Sequence, residues 1–135
     1  MRKLITPIVA AIAMLTGCNS VPKDPPRNYV AISLSKAQIE QIKIGVAKGL
    51  KDPESARFGD AFNASDDGSM IHVCGMVNAK NSYGGYTGEK PFYAAGDKLS
   101  KTFMGIGYGG ETYRGTDIGT AAVRDMCASK GISPF

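Results

Sequence analysis

The sequence predicts an α+β fold: a small antiparallel sheet of about four strands with two helices packed on one face. Three observations predict it. Apolar residues recur at helical spacing near the start of the chain's central part. They recur again near its end. Between them lie short apolar and aromatic runs separated by glycine and aspartate turn signals. The predicted order is α-β-β-β-β-α.

Ser35-Lys36-Ala37-Gln38 fits a capping box at the start of the first helix. Ile39, Ile42, Val46 and Leu50 then form one apolar stripe, with Lys36, Lys43, Lys48 and Lys51 mostly off it. The helix is expected to end near Lys51. Asp52-Pro53-Glu54-Ser55-Ala56 follows as a short turn, with Asp52 as its cap and Pro53 in the first helical position. Phe58 and Phe62 belong to a strand that ends at the turn Asp66-Asp67-Gly68. The next strand, Met70 to Val77, is apolar on both faces and so reads as central. Further strands are expected at Pro91–Ala95 and Lys101–Tyr108. The last helix runs from Thr116-Asp117 to Lys130, with Ile118, Ala122, Met126 and Cys127 toward the core and Gly131 as its stop. Phe58, Ile71, Val73, Val77 and Ile42 are expected in one core.

The N-terminus has a different character. Arg2 and Lys3 precede a mostly apolar run from Leu4 to Leu15, about half of the ~20 residues that span a bilayer. A charged start with a short apolar region reads as an export signal rather than a membrane span. The run ends in Leu15-Thr16-Gly17-Cys18, which resembles the lipobox of bacterial lipoproteins. That resemblance implies cleavage before Cys18, palmitate-type acylation of Cys18, and a firm anchor of two or more chains. The expected organisation is a signal peptide over 1–17, a lipidated tether over 18–32 and a single globular domain over 33–135. The tether holds three of the chain's seven prolines, Pro22, Pro25 and Pro26, among polar neighbours, as an extended spacer would. Asn19, rather than Asp, follows the lipidated Cys. By analogy with enteric lipoproteins this points to the outer membrane, with the domain facing the periplasm.

Removing 17 of 135 residues leaves 118, enough for one domain. It also leaves 14 basic against 12 acidic side chains, with no Lys/Arg run. A nucleic-acid partner is therefore not expected. With Cys18 given to lipid, Cys74 and Cys127 remain as a pair in an oxidising compartment. They are expected to form a disulfide; the alternative is two buried free thiols. The single histidine, His72, and the lack of any Cys-x-x-Cys give no metal site. No cofactor is expected.

Residues 83–113 carry seven of the 11 aromatics. Val73-Cys74-Gly75-Met76-Val77-Asn78-Ala79-Lys80-Asn81-Ser82-Tyr83-Gly84-Gly85-Tyr86-Thr87-Gly88-Glu89-Lys90-Pro91-Phe92, with Leu50 to Phe58, resembles a family of small uncharacterised bacterial envelope proteins. That resemblance implies no activity. The segment reads in two ways. One is a structured loop that closes a hairpin, with glycines supplying positive φ and Asn and Ser side chains bonding the local backbone. The other is a recognition surface of Asn78, Lys80, Asn81, Tyr83 and Tyr86, suited to an envelope protein or a glycan.

Catalytic readings fare less well. Gly84 to Lys90 lacks the end of a phosphate-binding loop. Gly105-Ile106-Gly107-Tyr108-Gly109-Gly110 does not open a helix in a βαβ unit. His72 shares a strand face with Cys74, but a bridged sulfur is no nucleophile. The expected function is therefore non-enzymatic: a membrane-tethered envelope module for binding or assembly. A structural or surface-modifying lipoprotein is the second reading, and a cell-wall hydrolase the third.

Overall fold

A computed structural model describes residues 26–133, and within them the chain runs β1 (Val30–Ile32), α1 (Lys36–Ala47), β2 (Arg57–Asp66), β3 (Met70–Asn78), β4 (Lys90–Asp97), β5 (Phe103–Tyr108), β6 (Thr112–Tyr113), β7 (Thr116–Asp117) and α2 (Ile118–Ser129). The signal peptide and the lipidation of Cys18 lie outside the described residues. Strands β1 to β5 form one antiparallel sheet in sequence order, and β6 and β7 pair as a separate ribbon. The α+β class and the central place of β3 are as expected. The sheet has five strands rather than about four. The additional one is β1, cut from the segment expected to be tether: Val30 pairs with Asp66 and Ile32 with Ala64.

The expectation of two helices on one face is corrected. Side chains alternate across a strand. Ile71, Val73 and Val77 point to one face of β3, where they share a core with Ile42 and Val46 of α1 and with Phe92, Ala94 and Phe103. Phe58 and Phe62 pack against that core. Cys74 points the other way and meets Tyr93, Ala95, Val123, Cys127 and Ile132. Helix α1 therefore covers one face and α2 the other. The physical reason is the apolar character of both faces of β3, each of which must be covered.

Local signals explain the element ends. The Ser35 side chain accepts from the Gln38 N–H, and the Gln38 side chain reaches back to the Ser35 N–H, closing the capping box. Helix α1 stops at Ala47, a turn earlier than expected, where Gly49 breaks it. The Gly49 Cα faces the Tyr108 ring too closely to carry a side chain. A single 3₁₀ turn, Pro53–Ser55, follows, but the Asp52 side chain does not cap it. Instead the Ser55 hydroxyl donates to the Asp52 carbonyl. Asp117 caps α2 through the Thr120 N–H, and Gly131, at φ +69°, ends its last turn. The buried stripe of α2 is Gly119, Val123 and Cys127. Ile118 and Ala122 are exposed and Met126 is half-buried, a one-residue rotation from the expected stripe.

Cys74 and Cys127 form a disulfide, with Cα atoms 6.2 Å apart and a sequence separation of 53. It ties α2 to the middle of the sheet. Among the described residues no helix is long and apolar enough to cross a membrane.

Candidate functional site

At the end of the sheet where β3 finishes, β4 begins and β5 finishes, a groove of about 760 Å³ opens between the turn after α1 and the start of α2. Its size falls in the range of small-molecule sites. Its largely apolar floor runs around the end of the sheet: Leu50, Val77 and Tyr108 lie on the α1 side, Met126 on the α2 side, and Ile106 on the edge strand β5 between them. Lys51, Lys80 and Lys90 reach it from three separate segments, and Glu111 is the acid among its lining residues. The Tyr108 hydroxyl donates to the Val46 carbonyl at 2.7 Å, so its ring is fixed in the floor. Burial pushes the Tyr108 phenol above its usual value, which keeps it neutral.

Of the five residues expected in a recognition surface, the structure brings two to the groove, Lys80 and Asn81. Asn81 also orders the loop. Its Oδ1 accepts from the N–H groups of Tyr83 and Gly85, and its carbonyl accepts from Gly84. Tyr86 stays exposed but is tied down: its hydroxyl donates to the Ser55 carbonyl, and the Arg57 guanidinium lies 4.3 Å from its ring centre. Tyr83 is 97% exposed at the loop tip, away from the groove lining. Asn78 is half-buried, and its Oδ1 has no hydrogen-bond partner. The segment is thus both a self-bonded loop and one wall of a groove.

Ser55 was not among the expected site residues, yet it joins the parts. Its hydroxyl accepts from the Lys80 N–H at 2.9 Å and donates to the Asp52 carbonyl at 2.8 Å, while its own carbonyl takes the Tyr86 hydroxyl. The stretches 50–58 and 73–92 are therefore held together through one serine. Nothing in the local spacing of the two stretches gives the contact.

A second polar cluster lies at the opposite end of β3. His72 is buried, with Nδ1 2.8 Å from the Tyr93 hydroxyl and Nε2 3.1 Å from Asp67 Oδ2. Neutral histidine satisfies both contacts if Nε2–H donates to Asp67 and Nδ1 accepts from Tyr93. Asp67 also accepts from Arg27 and from the Ser69 and Met70 N–H groups. The Met70 N–H does most to hold the Asp67 carboxyl far below the usual carboxylate range, helped by His72, Ser69 and Arg27 against the cost of burial. Burial raises the Tyr93 phenol. Tyr29 meets the His72 ring edge-on. Both ring nitrogens of His72 are occupied and the Cys74 sulfur is bridged, so this face is a fastening rather than a nucleophile–base pair.

The chain matches no protein-family model, no curated protein and no solved structure. The groove's own chemistry is what bears on function. Among the described residues no three His, Cys, Asp or Glu side chains converge as metal ligands.

Proposed function

We propose that this chain is a non-enzymatic lipoprotein of the bacterial envelope, anchored through Cys18, whose domain binds another envelope component in the groove beside Lys80. The observation that carries the reading is the groove itself: an apolar floor ringed by cationic side chains, walled by a loop that its own hydrogen bonds hold in shape. A preformed concave site of this kind suits binding without large ordering costs. The lipobox-like Leu15-Thr16-Gly17-Cys18 supports the anchor. The Cys74–Cys127 bridge supports an oxidising compartment, since such bonds persist there and are rare in a reducing cytosol. The outer membrane, with the domain in the periplasm, is the location that Asn19 favours.

Two measurements test the reading separately. Cys18→Ser should move the protein out of the membrane fraction and remove the lipid mass; a variant that stays membrane-bound refutes the anchor. A photo-crosslinking amino acid in place of Lys80 should capture a specific envelope component in intact cells. The same amino acid at Lys43, on α1 away from the groove, should not. Equal capture from both positions refutes the groove as the binding surface.

A further inference from the structure

Lys51, Lys80 and Lys90 meet at the groove from the turn after α1, the loop after β3 and the start of β4. The ion pairs among the described residues are Arg27–Asp67, Lys43–Glu40, His72–Asp67 and Lys98–Asp66, so none of the three has a carboxylate within 4.0 Å. Lys90 does lie near enough to Asp117 to help hold that carboxyl ionised. Glu111 is the single acid in the lining. Lys80 Nζ also lies 5.6 Å from the Tyr86 ring centre. Three lysines against one acid leave the lining with net positive charge, which attracts an anion. The floor, in turn, offers Leu50, Ile106 and Met126 to an apolar body, over the buried Val77.

We infer that the groove takes an anionic amphiphile: a single acyl chain that ends in a carboxylate. The chain lies along the apolar floor and the carboxylate between the lysines. The inference rests on the reading above that this groove is the binding surface, and it adds the ligand class. The chemistry selects against the neighbouring classes. An uncharged alkyl molecule fills the floor but leaves the positive charge of the lining unmatched. An acidic peptide neutralises the lysines but brings little to the floor. A cationic amphiphile meets like charge.

The test uses the full-length chain in its own membranes and a dodecanoate that carries a photoreactive diazirine near its tail. After irradiation, label should concentrate on peptides that contain Leu50, Val77 or Met126. Excess dodecanoate should compete the label away, and equal dodecanol should not. The triple variant K51Q/K80Q/K90Q should reduce groove labelling roughly tenfold or more, and labelling should weaken at high salt. Lys80→Glu, a single reversed charge at a half-buried position, gives the same direction should the triple variant fail to fold. Absence of label, label spread evenly over the surface, equal competition by dodecanol, or full labelling of both variants overturns the inference. The two readings fail on different results. Equal capture by crosslinkers at Lys80 and Lys43 refutes the groove as a binding surface; specific capture of a protein at Lys80, with no label from dodecanoate, keeps the groove and refutes the ligand class.

Discussion

Asp67 accepts hydrogen bonds from Arg27, His72, Ser69 and Met70 while its side chain is 1% exposed. Asp67→Asn replaces one acceptor oxygen with a donor and removes the charge. Loss of charge-assisted bonds at a buried site predicts a cost of about 2–3 kcal/mol at neutral pH. Because the folded carboxyl is held below its ordinary 3.8, its contribution is complete above that value and declines as pH falls toward the folded value. Urea unfolding should therefore show the gap between wild type and Asp67→Asn narrowing below about pH 4. A gap that stays constant down to pH 3 contradicts the assignment. Asn78 gives the opposite expectation. Its Oδ1 has no partner, so Asn78→Ala should change stability by less than about 1 kcal/mol. A loss of 2 kcal/mol or more in the same assay means that the amide makes contacts the structure does not contain. Ser65 is buried and donates to the Lys130 carbonyl, which joins the middle of the sheet to the end of α2. Neither this bond nor the Ser55 bonds can be read from residue type, since serine also fills exposed turns.

At the scale of elements, Gly45 in α1 separates two opposing effects. Helix propensity favours Gly45→Ala by about 1 kcal/mol. A Cβ at that position, however, would overlap the Phe103 carbonyl oxygen of β5, which is backbone and cannot swing away. Overpacking costs about 1–3 kcal/mol, so the substitution should destabilise on balance. Ile42, fully buried one turn earlier, should cost about 2–5 kcal/mol as Ile42→Ala. Chemical denaturation measures both, and a stabilising Gly45→Ala overturns the close helix–strand contact. The periodicities of α1, β2, β3 and the core of Ile42, Ile71, Val73 and Val77 were legible because each repeats over several residues. Three features were not. Strand β1 is three residues long, too short for an alternation, and lies in a segment whose prolines suggest a spacer. The placement of the helices on opposite faces was latent in the two apolar faces of β3, but only the packing shows which helix takes which face. The one-residue rotation of α2 puts Gly119 and Val123, beside the expected Cys127, against the sheet, a choice between adjacent stripes that helical spacing alone does not make. For the groove, Lys80 and Asn81 were found from loop composition, whereas Lys51, Lys90 and the floor come together only through the topology.

For the whole molecule, the Cys74–Cys127 bond is the largest single constraint. The core under α2 is small, with Val123 and Cys127 as its fully buried helix residues. In the chain-entropy account, a loop of this length stabilises the fold by about 4 kcal/mol. Reduction, or the double variant C74S/C127S, should lower the melting temperature and expose α2 to hydrogen exchange before α1. Equal protection of the two helices after reduction argues that α2 docks without the bond. The molecule also has a definite polarity. Arg27 and Tyr29 are held at the Asp67 end of β3, and the Lys130 amine reaches the Tyr29 hydroxyl there, so both described termini leave from one pole. The groove occupies the other pole, a nine-residue strand away, which spans about 26 Å at strand rise. Arg27 and Ile132, near the two ends of the described domain, are thus remote from the groove. Whatever is attached at the Arg27 side of the described domain therefore sits at the pole opposite the groove.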